Sequence, residues 1–177
     1  MSLRVLFVVY DNGSYDHVFP MGIGALSAVL KKEGHQYEFW NQDMHKIKVI
    51  LVDDHAVVRM GFKLLLQDTK DIAVVGEAES GEEVMKLLNT VSADIIVMDL
   101  SMPGIGGLET ISRIVSKDKS PKILILSAHE DAIHPKRSLK AGANGYLSKR
   151  GAPEELIKAI RQIHSGTMYI EPSIAQK

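Results

Sequence analysis

The chain has 177 residues, of which 45% are apolar, enough for one α/β core with an appendage but too few for two full domains. With 21 Lys plus Arg against 22 Asp plus Glu and no cysteine, it has no global field toward nucleic acid or acidic membranes, no disulfide and no thiolate chemistry. Its longest apolar runs, Val49 to Val52 and Ile95 to Met98, are strand-sized, and nothing resembles a signal peptide, so a soluble cytoplasmic protein is expected.

Residues 1–45 read as one βαβ unit. A strand Arg4 to Tyr10 leads through a loop Asp11 to Phe19 into a helix Met21 to Glu33, opened by Pro20 and closed by Gly34, and then a strand Tyr37 to Trp40. Seven of the ten aromatic residues lie in this segment, a composition shift that separates it from the rest. Gly22 and Gly24 stand at the helix start, but Ser27 occupies the third position of a G-x-G-x-x-G loop, so helix packing explains them better than phosphate binding. His17, His35 and His45 have no ligand spacing. So small a unit buries too little apolar surface to stand alone and must dock on something. Six residues separate Tyr37 to Trp40 from the next strand, whereas parallel neighbours need a crossover of roughly a dozen. Either the two form an antiparallel hairpin, or the earlier strand leaves the main sheet for another surface or another chain, the latter giving an intertwined homodimer.

From Lys46 onward, apolar strands alternate with amphipathic helices, the pattern of a doubly wound parallel sheet. The strands are Ile47 to Val52, Ile72 to Val75, Ile95 to Met98, Ile123 to Leu126 and Gly145 to Leu147. Helical faces recur as Val58, Phe62, Leu65; Val84, Leu87, Leu88, Val91; Leu108, Ile111, Ile114, Val115; and Leu156, Ile160, Ile163. Ser80 with Glu83 forms a capping-box signature, Pro153 with Glu154 and Glu155 opens the last helix, and Gly166 stops it. The helix before Gly142 is expected to start at Pro135.

In such a sheet, function gathers beyond the carboxyl ends of the strands. Asp53 and Asp54 end the first strand of this region, Asp99 the third, Ser127 the fourth and Lys149 the fifth. Carboxylates held close repel unless a cation neutralises them, and Mg²⁺ suits an all-oxygen set. Asp54 and Asp99 are expected as direct ligands, with the Ser101 carbonyl as a third and Asp53 in an outer role. One Asp99 oxygen can then attack a phosphoryl group, Lys149 stabilises charge on its oxygens and Ser127 hydrogen-bonds the product. His55 and His129 flank this rim, and Met102-Pro103-Gly104 with Gly106-Gly107 shapes the loop after Asp99.

These residues closely resemble the receiver domain of bacterial two-component response regulators. The resemblance covers about residues 46–170, through Val52-Asp53-Asp54-His55, Met98-Asp99-Leu100-Ser101-Met102-Pro103-Gly104, Leu126-Ser127-Ala128 and Tyr146-Leu147-Ser148-Lys149. It implies a flavodoxin-like α/β fold of strand order 2-1-3-4-5, and a signalling module rather than an enzyme. It further implies Mg²⁺-dependent phosphorylation at Asp99 by a sensor histidine kinase or a small phosphodonor, with Ser127 and Tyr146 as the switch pair. Arg150 after Lys149, where many receivers carry proline, together with Asp54-His55 and Ala141 to Tyr146, favours the NarL/FixJ-type branch. Members of that branch usually continue into a DNA-binding domain; residues 171–177 would begin the linker to an absent output half, and this chain is not expected to bind DNA.

The first 45 residues are similar to something else. Arg4 to Val9 and Pro20 to His35 resemble the opening of the cobalamin-binding domain of cobalamin-dependent radical SAM enzymes, about one third of such a domain. Joining that fragment to an entire receiver resembles a chimera, engineered or recombined, of two flavodoxin-like parents. Under that alternative the acidic rim would have no physiological output; a cobalamin carrier is a third reading.

Overall fold

The computed structural model describes residues 4–9, 32–33, 36–41, 46–117, 120–128, 133–151 and 153–176. Backbone contacts divide the chain into two units, Met1–Lys46 and Ile47–Lys177. In the first, β1 (Arg4–Val9) pairs in parallel with β2 (Gln36–Asn41), Arg4 opposite Gln36 and Val9 opposite Asn41. The loop expected over 11–19 and nearly all of the helix expected over 21–33 lie outside the described residues, as do His17, His35 and His45. Among the described residues, the expected antiparallel hairpin between β2 and the next strand is not formed: β1 and β2 make a two-stranded sheet of their own.

The second unit runs β3 (Ile47–Val52), α1 (Ala56–Gln67), β4 (Ile72–Ala78), α2 (Gly81–Leu87), β5 (Ile95–Asp99), α3 (Gly106–Val115), β6 (Lys122–Ser127), α4 (Ile133–Ala141), β7 (Gly145–Ser148), α5 (Pro153–His164), β8 (Tyr169–Ile170) and α6 (Pro172–Ala175). Its sheet is parallel throughout, ordered β4-β3-β5-β6-β7-β8. The first five strands take the expected 2-1-3-4-5 order, and β8 adds a sixth.

Strand alternation explains the two-sided core. Val49, Leu51, Ile95, Val97, Leu124 and Leu126 point to one face, where Leu66 of α1 and Leu156, Ile160 and Ile163 of α5 cover them. Ile50, Val52, Ile96, Met98, Ile123 and Ile125 point to the other, under Val84 of α2 and Ile111 and Ile114 of α3. Because both faces are covered, the central strands are apolar nearly throughout rather than alternating with polar residues.

Local chemistry sets the helix limits. The Ser80 hydroxyl accepts the Glu83 N–H at 3.2 Å, while the Glu83 carboxylate accepts the Glu79 N–H at 2.6 Å, one residue earlier than in a standard capping box. Gly166 has φ +99° and closes α5. α4 starts at Ile133, two residues before the expected Pro135, which fits because a first-turn proline needs no amide donor. On α1 the buried residues are Arg59 and Leu66, and beside them Phe62 and Leu65 of the expected Val58, Phe62, Leu65 stripe pack half-buried against the core. α2 ends at Leu87, so Leu88 and Val91 pack against the core from beyond the helix.

β8 is held to β7 closely. Tyr169 N–H donates to the Asn144 carbonyl and Glu171 N–H to the Tyr146 carbonyl, each at 3.1 Å, and the Glu171 carboxylate accepts the Ser148 N–H at 2.8 Å. Ile174 of α6 is buried in the same cluster as Tyr146. No helix among the described residues is long and apolar enough to cross a membrane.

Candidate functional site

The carboxyl ends of β3, β5, β6 and β7 bring the acidic and basic residues together. β5 pairs Asp99 with Leu126 of β6, so Ser127 is one residue further along the same rim, and β7 pairs Ser127 with Ser148. Lys149 follows at once, its N–H donating to the Ser127 carbonyl at 2.9 Å. The Lys149 amine lies 2.6 Å from Asp53 Oδ2 and 2.8 Å from Asp99 Oδ2. Burial alone would push this amine down, but hydrogen bonds to Asp53 and Asp99 and their negative charges outweigh burial and hold it above the ordinary lysine value.

Asp53 and Asp99 are buried, whereas the Asp54 side chain is 29% exposed. Asp53 Oδ1 accepts the His55 N–H at 2.9 Å, an Asx-type turn at the start of α1. The His55 ring Nδ1 lies 3.1 Å from Asp53 and 3.0 Å from Asp54. Asp99 Oδ1 accepts the Ser101 N–H at 3.2 Å. Ligand atoms of Asp53, Asp54, His55 and Asp99 all fall within 4.8 Å of one another. Three carboxylates against one ammonium leave two formal negative charges uncompensated, and Asp54 Oδ1 is buried with the His55 ring nitrogen 3.0 Å away but no hydrogen bond among the described residues. A hard divalent cation fits both facts, since it takes oxygen ligands and supplies two positive charges.

The loop after Asp99 is shaped by backbone demands. Gly104 and Gly106 have φ +80° and +71°, a conformation that favours glycine. A Cβ on Gly107 would sit 2.7 Å from the Asp99 carbonyl oxygen and from Leu100 Cα, so α3 can start this close only with glycine there. Glu82 of α2 adds a brace by accepting the Ile105 N–H at 3.1 Å. Tyr146 is wholly buried beside this rim, and Ser127 is buried at it. His129 lies outside the described residues.

Sequence reasoning missed Arg59, buried on α1 behind the acidic loop, where its guanidinium meets the Asp53 carbonyl and Glu79. The signal was present: Arg59, Phe62 and Leu66 fall at i, i+3 and i+7, so a cation sits on an apolar stripe and requires buried acceptors.

Comparison with known proteins agrees with this geometry. Residues 49–161 match the family described as the response regulator receiver domain. The response regulator UvrY of Escherichia coli is 47% identical over 131 residues, covering 74% of this chain and 60% of UvrY. The chain therefore spans about three fifths of that relative's length. A two-component response regulator of the LuxR family from Aurantimonas sp. superposes with a TM-score of 0.71 at 38% identity, covering 74% of this chain and 94% of that one. The isolated REC domain of RcsB from Salmonella enterica serovar Typhimurium, solved with the phosphomimetic BeF3-, gives 0.69 at 28% identity, covering 74% and 97%. A flavodoxin-like parallel sheet, a rim of converging aspartates with one lysine, and the match over residues 49–161 together place this chain in the receiver domain family of two-component response regulators.

Proposed function

We propose that Asp99 is the phosphoacceptor of this receiver and that Asp53, Asp54 and Lys149 make it reactive. The observation that carries the reading is the Lys149 amine bridging Asp53 and Asp99 at 2.6 and 2.8 Å. An amine so held lies next to the carboxylate that attacks, where it can meet charge developing on the phosphoryl oxygens. Asp54, Asp99 and the Ser101 carbonyl would hold Mg²⁺, with Asp53 as an outer partner. When bound, the ion supplies the positive charge that offsets the acidic rim and the incoming phosphoryl group. An Asp99 oxygen attacks phosphorus in line, the leaving group departs on the opposite side, and the Ser127 hydroxyl hydrogen-bonds the new acyl phosphate. Ser127 and Tyr146 act as the switch pair that carries the change outward.

The donor would be a phosphohistidine of a sensor kinase or a small acyl phosphate. Val57, Met60 and Leu64 support a protein donor: 85%, 64% and 60% exposed, they form an apolar stripe on α1, the helix that opens at the acidic rim. For residues 1–45 we infer a βαβ fragment related to a cobalamin-binding domain and fused to the receiver. The parallel pairing of β1 with β2 supports this, because such pairing requires a crossover.

Acetyl phosphate with Mg²⁺, followed by intact-mass spectrometry, tests the central reading. A single phosphoryl adduct that disappears in Asp99→Asn is expected. An unmodified mass, or an adduct that survives the substitution, would remove Asp99 from the role.

A further inference from the structure

Arg59 is not among the residues whose ligand atoms form the cation pocket, yet it grips the backbone that carries them. Its side chain is only 10% exposed. One terminal nitrogen donates to the carbonyl of Asp53, the other to Glu79 Oε1 at 2.8 Å, and Nε lies 3.7 Å from Glu77 Oε2. On the other side of the same residue, the Asp53 N–H donates to the Ala78 carbonyl at 3.1 Å. Both polar groups of the Asp53 backbone are therefore held, one by β4 and one by Arg59. Between them leaves the side chain that reaches Lys149, and beyond the held carbonyl comes Asp54. Arginine suits this place because its planar fork can serve a carbonyl and a carboxylate together while staying charged.

We propose that Arg59 is a positioning residue for the cation pocket, fixing the Asp53–Asp54 peptide so that both carboxylates are presented together. The proposal rests on the phosphoacceptor reading above. Glu79 and Glu77 neutralise the guanidinium, so its effect is one of geometry rather than field. The two roles have opposite signs. Deleting a cation near an acidic pocket favours Mg²⁺ if charge alone matters, whereas releasing the Asp53 carbonyl spoils the ligand arrangement and weakens it.

Calorimetric titration of Mg²⁺ into the full chain, with thermal melting in parallel, reads that sign. Arg59→Met is expected to weaken Mg²⁺ binding by about tenfold or more, the usual scale for groups that orient metal ligands. Lys63→Met is the charge control. Lys63 lies one turn along α1, pairs with Glu77 at 2.6 Å and does not hold Asp53, so its loss should leave the Mg²⁺ dissociation constant unchanged. A merely structural Arg59 would lower the melting temperature and leave that constant alone. Should Arg59→Met fail to fold, Arg59→Lys takes its place: it keeps the charge, loses the fork and is likewise expected to weaken binding. Unchanged or tighter Mg²⁺ binding in a folded Arg59 variant would overturn the proposal. Absence of Mg²⁺ binding in the unsubstituted chain would instead remove the phosphoacceptor reading, and this proposal with it.

Discussion

Two ion-pair sites mark opposite ends of the six-stranded sheet. At the carboxyl end, Lys149 bridges Asp53 and Asp99, with all three side chains at least four-fifths buried. At the amino end, Arg161 of α5 forms a two-pronged pair with Asp71, just before β4, at 2.7 and 2.8 Å, with side chains 52% and 45% exposed. The contact distances are nearly the same. What differs is the solvent: water screens the Arg161 pair, while the Lys149 cluster keeps an excess of negative charge that it cannot disperse. The Arg161 pair is a clip, and the Lys149 cluster is a site that calls for a ligand.

Substitution should expose that difference. Lys149→Met leaves Asp53 and Asp99 buried without their cation, at an expected cost of about 3 kcal/mol in urea unfolding without Mg²⁺; added Mg²⁺ should restore part of it. An effect no larger than that of a surface substitution would show the cluster to be wetter than its burial indicates. Gly107→Ala forces a methyl against the Asp99 carbonyl, with about 2 kcal/mol of destabilisation and slower phosphoryl labelling. At the other end, Arg161→Ala should cost about 0.5 kcal/mol after solvent screening, shrinking in high salt.

Acid and alkali separate the two ends further. The Arg161 guanidinium holds Asp71 below the usual carboxylate range. Its contribution is therefore present above about pH 4 and lost as pH falls through the lowered value. The stability gap between the unsubstituted chain and Arg161→Ala should close on acidification. Lys149 is raised, so its contribution is present below about pH 10.4 and lost as pH rises through the raised value. Urea midpoints measured across pH check both; a gap that widens in acid would reverse the assignment for Asp71.

Strands buried on both faces were legible because they are short unbroken apolar runs, and the rim was legible because its charged residues end those runs. β4 was read too short: Gly76 and Glu77 interrupt the apolar pattern, yet the strand continues to Ala78 because it is an edge strand with less complete cover. β8 was missed, since two residues carry no periodicity and its place depends on hydrogen bonds to Asn144 and Tyr146. Arg59 was overlooked for a different reason. Its spacing with Phe62 and Leu66 marks it as buried, but its partner is a backbone carbonyl, which no side-chain motif names.

Glu171 grips β7 at two points, donating to Tyr146 and accepting from Ser148, immediately before Lys149. Hydrogen bonds weaken steeply with distance and angle, so a sideways displacement of the lysine strand cannot slip past its neighbour. The last strand and the short helix after it must travel with Lys149 like a trailer on a hitch.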